Sequence, residues 1–179
     1  MKLQGCGAAV LLAAGALWVF MSETDREEPV LGGAPPESVR ALEASVAAEP
    51  NDSEDTRALA QAYLDARQPG LAIVLVDGAP PEVRGDVRVE HVYARALIDA
   101  GRNDEALAAE SRVVWTCRLF AEGNAGPDGC DAVLLASAMR RTDILRELVS
   151  LGVEDARSQP AMSLVAYMNA TREARVAME

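Results

Sequence analysis

An all-α fold is predicted by three features of this 179-residue chain. Half of its residues are apolar, enough to bury a core. Aromatics make up only 4% while Ala is abundant, a mixture suited to closely packed helices rather than to sheets, which favour aromatic and β-branched side chains. Between Pro50 and Val114 one helical pattern is written twice, with Ala60 and Ala94, Tyr63 and Leu97, and Ala72 and Ala106 each separated by 34 residues. Such an interval is the signature of a repeated helix hairpin.

Taken in order, the chain opens on an export or anchoring segment, residues 1–21. Leu3 to Met21 carry no charge and follow Lys2. At about 1.5 Å per residue they make roughly 28 Å of helix, just enough for a hydrocarbon core. No small-x-small cleavage site follows the apolar run, although Ala14-Gly15-Ala16 lies within it, so an uncleaved anchor is favoured over a signal peptide. Lys2 keeps the amino terminus in the cytoplasm and sends the rest across a bacterial inner membrane into the periplasm. Leu3-Gln4-Gly5-Cys6 looks like a lipoprotein acylation site, but here the hydrophobic stretch follows the Cys instead of preceding it. Residues 22–36 are acidic, then rich in Gly and Pro, and read as a flexible linker.

Val39, Leu42, Val46 and Ala47 place apolar residues on one face of a short helix that ends before Pro50. Two helix pairs follow. The first covers about Ser53 to Arg67 and Pro69 to Asp77, with Pro69 in a first turn where its missing N–H costs nothing. Beyond Gly78-Ala79-Pro80-Pro81, the second covers about Asp86 to Ala100 and Asn103 to Phe120, with Gly101 as the left-handed terminator between its helices. After Leu119 the period breaks. Ala121 to Gly129 reads as a loop, and Asp131 to Met139 and Asp143 to Leu151 as a further helix pair with Leu134, Leu135, Ala138, Ile144, Leu145 and Leu148 inward. Ala161 to Met178 supplies a last helix, or two short ones broken near Asn169, with Met162, Val165, Ala166, Val176 and Ala177 inward.

The paired hairpins resemble the tetratricopeptide repeat family over roughly residues 38 to 114. Leu59, Ala60, Tyr63, Ala72 and Ala79 carry the likeness in the first copy; Tyr93, Ala94, Leu97, Gly101, Ala106 and Val113 carry it in the second. Pro50 matches the proline that ends a preceding repeat, and Asp104-Glu105-Ala106-Leu107 the start of a second helix. The departures are Thr56 and Glu90 where a large aromatic is usual, and Arg67 where Gly is common. The resemblance implies a short solenoid over residues 37–120, extended by helices over 121–179. It further implies a non-enzymatic role, binding a protein or peptide in a groove lined by the first helices. Outward positions there are Arg57, Gln61, Asp65, Glu90, His91 and Arg95. A structural subunit of a larger envelope assembly is the alternative.

Charge and motif content narrow the remaining classes. A formal charge of -11 repels phosphate backbones, so nucleic acid is not an expected partner. His91 is the only histidine and has no ligand-type neighbours at metal-binding spacing; no metal or cofactor is expected. Neither a Gly-rich phosphate loop nor a Ser-centred elbow is present, and no enzymatic activity or small-molecule substrate is expected. Asp52, Glu54 and Asp55 suit the positive end of a helix. Cys117 and Cys130 flank the glycine-rich loop and, in an oxidising compartment, are expected to form a disulfide; reduced core thiols are the alternative. Such a bridge stabilises by about 3 kcal/mol in the chain-entropy model.

Overall fold

The computed structural model describes residues 36–121 and 129–176, and every regular element among them is helical. The anchor and all but the last residue of the linker lie outside the described residues, as does the interior of the glycine-rich loop. Among the described residues no helix is long and apolar enough to cross a membrane.

A short helix, α1 (Glu37–Ala48), packs on the first of three helix pairs. The pairs are α2 (Ser53–Asp65) with α3 (Pro69–Gly78), α5 (Val87–Asp99) with α6 (Asn103–Ala121), and α7 (Ala132–Ser150) with α8 (Pro160–Val176). One turn of helix, α4 (Pro81–Arg84), joins the first pair to the second. Its Val83 is buried and belongs to the core, so Pro80 and Pro81 start a helical turn rather than a plain loop. In each pair the two helices lie against one another; α5 also packs on both α2 and α3, and α6 on α7.

The first helices of the three pairs begin alike. Asp52 accepts from the N–H groups of Glu54 and Asp55 at 2.8 and 2.9 Å. Asp86 accepts from Arg88 and Val89 at 2.8 and 3.3 Å, and Asp131 accepts from Leu134 at 2.7 Å. Each aspartate satisfies amides that the first helical turn leaves without partners.

They also end alike. After α2 the N–H of Gln68 reaches the carbonyl of Tyr63 at 2.8 Å; after α5 that of Arg102 reaches Leu97 at 2.8 Å; after α7 that of Val153 reaches Leu148 at 2.9 Å. This six-to-one closure requires a left-handed residue just before the donor. Those residues are Arg67 (φ 56°), Gly101 (φ 76°) and Gly152 (φ 68°). The third pair thus repeats the closure of the first two, although its sequence does not keep their 34-residue interval.

Small residues let the helices approach. Ala60, Ala72, Ala94, Ala106 and Ala109 are fully buried in one core with Leu64, Ile73, Val76, Val89 and Leu97. That core continues into the third pair through Leu145, Leu148, Val153 and Ala166. A second cluster, Val87, Val113, Cys117 and Ala138, sits under the bridge between Cys117 and Cys130, whose sulfurs are bonded at 2.08 Å.

Two expectations are corrected, and one left open is decided. The segments 131–139 and 143–151 are not a helix pair but one continuous helix, α7. The polar run Arg140-Arg141-Thr142-Asp143 suggests a break, yet Ala138, Thr142, Leu145 and Leu148 keep one face buried across it at helical spacing. Asn169 does not divide the last helix, which runs unbroken from Pro160. On that helix Ala166 and Ala170 are buried, whereas Met162 and Val165 are largely exposed; the Val176 and Ala177 side chains lie outside the described residues.

Candidate functional site

The first helices α2 and α5 lie side by side in the register set by the sequence interval. Arg95 Nη1 donates to Gln61 Oε1 at 3.4 Å across that same 34-residue offset, and Gln61 Nε2 donates to Asp65 Oδ1 at 2.7 Å. Gln61, Asp65 and Arg95 therefore share one surface. Asp65 and Arg95, with Leu64, Arg67, Pro69, Asp99 and Arg157, line a cleft of about 540 Å³ at the carboxy-terminal end of α2 and α5.

Arg57 and His91 occupy a second cleft, of about 400 Å³, nearer the amino-terminal ends of the same helices. Its walls include Glu54, Arg88, Val92, Gly129, Asp131, Val133, Leu134 and Ser137, so α7 contributes one side. Arg57 is held by Glu54 one turn earlier, and this pairing keeps the Glu54 carboxyl below its ordinary range. Gly129 supplies the closest backbone approach: a Cβ there would meet the Arg88 side chain at 2.8 Å, and its φ is 105°.

Glu90 does not belong to this surface, contrary to the sequence expectation. It is buried, points to the other side of α5, and pairs with Arg112 of α6. Burial pushes its carboxyl up, and Arg112 pulls it back only in part. There it lines a third cleft, about 590 Å³, with Val76, Asp77, Tyr93 and the exposed Trp115. The physical reason is rotation: neighbouring residues on a helix are 100° apart, so Glu90 and His91 cannot both face the groove.

His91 is less a free groove residue than part of a lock between the second and third pairs. Its Nδ1 lies 2.9 Å from Oε2 of Glu110, a carboxylate on α6 that is 0% exposed. Arg141 of α7 bonds the other Glu110 oxygen and also donates to the His91 carbonyl at 3.1 Å. Ser137 Oγ stands 3.3 Å from His91 Nε2. With Glu110 accepting, His91 Nδ1 donates and Nε2 is left to accept from the Ser137 hydroxyl.

Serine, imidazole and carboxylate in a row are also the parts of a hydrolase relay. Two features separate this row from one. Ser137 sits inside α7, whose backbone N–H groups are committed to the helix, so its own helix offers the hydroxyl no pair of free amides as an oxyanion site. Glu110 is already neutralised by Arg141. The arrangement is suited to holding three helices in register, and it satisfies a buried charge that would otherwise be costly. Glu110, Ser137 and Arg141 escaped sequence reading because they are 19, 46 and 50 residues from His91, at no recognisable spacing.

Two tyrosines tie the pairs to what precedes them. Tyr63 donates to Glu43 of α1 at 2.8 Å, and Tyr93 donates to Asp77 of α3 at 2.8 Å. Burial, reinforced by those carboxylates, pushes both phenols up to about 12. Among the described residues no group of three or more His, Cys, Asp or Glu side chains gathers as a metal site would require. Compared with protein-family models, curated proteins and solved structures, the chain has no significant match.

Proposed function

We propose that the chain is a tetratricopeptide-like adaptor of the bacterial cell envelope. In this reading the amino-terminal segment tethers it to the inner membrane, and the domain presents a helical groove to a protein or peptide in the periplasm. The observation that carries the reading is the coincidence of sequence interval and spatial repeat: Gln61 and Arg95, 34 residues apart, touch across adjacent first helices. Support comes from the buried alanines at the same offset, the paired aspartate caps and the matching helix closures. The groove positions are Arg57, Gln61, Asp65, His91 and Arg95, without Glu90.

In-cell photo-crosslinking tests it. A photoreactive residue at Gln61 or Arg95 is expected to trap one and the same protein, while one at Val74, an exposed position on the second helix α3, traps none. Equal capture from all three positions counts against a groove.

A second reading, a permanent subunit of an envelope assembly, is favoured by the apolar surface of α8, where Leu164 and Met168 are 60% and 59% exposed. Mass measurement of the chain in neutral detergent separates the two readings. A monomer speaks for the adaptor; a fixed oligomer, or precipitation relieved by replacing Leu164 and Met168 with Gln, speaks for the subunit.

A further inference from the structure

The cleft of about 590 Å³ onto which Glu90 turns has no part in the groove of the first helices. Helical spacing builds it. Glu90 and Tyr93 stand one turn apart on α5, and Arg112, Trp115 and Thr116 share one face of α6. Asp77 of α3 and Arg84 of α4 complete its polar lining. Its volume falls within the roughly 300–1,000 Å³ typical of small-molecule sites.

Trp115 is the one tryptophan among the described residues, and it is 66% exposed. A ring of that size left in water forgoes the burial that aromatic side chains usually contribute to a core. Around it the charges cancel: the carboxylates of Asp77 and Glu90 are matched by the guanidiniums of Arg84 and Arg112, in a chain whose net charge is -11. Arg112 holds one oxygen of Glu90, and Tyr93 donates to one oxygen of Asp77 at 2.8 Å. Each carboxylate keeps a second oxygen to accept with, and the Arg112 fork keeps further donors. Among the described residues the Arg84 and Thr116 side chains and the Trp115 indole N–H make no hydrogen bond. Donors and acceptors thus stand together beside one exposed aromatic face.

We propose that this cleft binds a neutral oligosaccharide, one sugar ring lying on the Trp115 indole and its hydroxyls bonding to Asp77, Arg84, Glu90 and Thr116. A pyranose presents C–H groups on its face and, around its edge, hydroxyls that each donate and accept. An aromatic face suits the first, and fixed donors mixed with acceptors suit the second. An ionic ligand of either sign would meet two like charges here, whereas a neutral polar ligand meets none. A peptide finds less: the helices have committed their backbone groups, so no strand edge is offered, and the indole is the one widely exposed ring. The inference is independent of the adaptor reading, because Glu90 and the groove residues face different sides of α5.

The test is saturation-transfer NMR of the full-length chain in a polyoxyethylene detergent, which carries no sugar, with cellotetraose, N-acetylchitotetraose and maltotetraose in turn. At least one of the three is expected to bind saturably, with half-saturation at about 1 mM or below. W115A is expected to weaken that binding about tenfold, and W115F to recover part of the loss. R84Q, at an exposed cation, weakens it about threefold. L119A, one turn further along α6 at a side chain 48% exposed, leaves it unchanged. Because Trp115 is mostly in water, W115A unfolds at the temperature of the parent chain; should it unfold lower, R84Q carries the comparison. Absence of saturable binding by all three sugars up to about 10 mM overturns the proposal. So does undiminished binding by W115A or R84Q, or equal weakening by L119A. A capped tetra-alanine peptide that gives the same Trp115-dependent saturation also overturns it, by assigning the cleft to peptide instead of sugar.

Discussion

The two junctions between helix pairs are built from different materials. Where the first pair meets the second, the buried contact is apolar and small, with Ala60, Leu64, Ala72 and Ile73 against Val89, Ala94, Ala96 and Leu97, and polar bonds such as Arg95 to Gln61 and Tyr93 to Asp77 lie at its exposed rim. Where the second meets the third, a buried Glu110 is shared by His91 and Arg141, and a disulfide bonds Cys117 to Cys130. The difference follows from the connections. Val87 follows the helical turn Pro81–Arg84 almost directly, so the second pair is delivered into register by a short path. Ala121 and Ala132, which bound the second connection, are joined by the longer, glycine-rich stretch 122–131. Directional bonds and a covalent link supply the register there.

The sharpest way to break this contrast is Glu110→Ala. Removing the carboxylate strands Arg141 and unties His91, and the expected loss is about 3 kcal/mol. It is read as a lower urea midpoint of unfolding, with hydrogen exchange accelerating first in α7 and α8. Replacing both Glu110 and Arg141 by Leu removes the stranded charge and recovers part of the loss. If the double variant is no better than Glu110→Ala, the carboxylate was not compensating Arg141.

Next in size is the bridge. Cys117 and Cys130 are 13 residues apart, and cutting a loop of that length costs about 3 kcal/mol at most in the chain-entropy model, with strain and residual structure lowering it. Changing both to Ser therefore lowers the unfolding midpoint by up to that amount. Protection of α2 and α3 against hydrogen exchange should persist in conditions where that of α7 and α8 is lost. A uniform loss across all three pairs would mean the bridge stabilises the whole stack rather than the second junction.

The same contrast explains what was legible in the sequence. The first junction was readable because its contacts obey a fixed interval and small residues mark it: Ala60 with Ala94, Ala72 with Ala106. Asp52 and Asp86 sit where the helix starts were expected, and Gly101 where a terminator was expected. The second junction was opaque. Arg141 reads as a polar interruption of an apolar pattern, which made α7 look like two helices; only its inward turn to Glu110 reveals why the helix continues. The surface proposed as a groove was half legible for a similar reason. Arg57, Gln61, Asp65, His91 and Arg95 follow from helical periodicity, but Glu90 was placed outward beside them and is buried by its angle.

The smallest effect sharpens the comparison most finely, because it exchanges the two closures. Gly101→Arg puts a side chain where Asp155 leaves 3.2 Å and where the backbone is left-handed, so it should destabilise by about 1 to 3 kcal/mol. Arg67→Gly does the reverse: it removes the conformational cost but lets the unfolded chain sample more states, for a net gain of about 0 to 1 kcal/mol. Thermal unfolding of the two variants beside the parent gives the sign of each. Opposite signs mean that the first closure tolerates Arg at a cost that Gly would remove. A loss of stability in Arg67→Gly would instead assign Arg67 a folding role through its aliphatic stem against the adjoining helices.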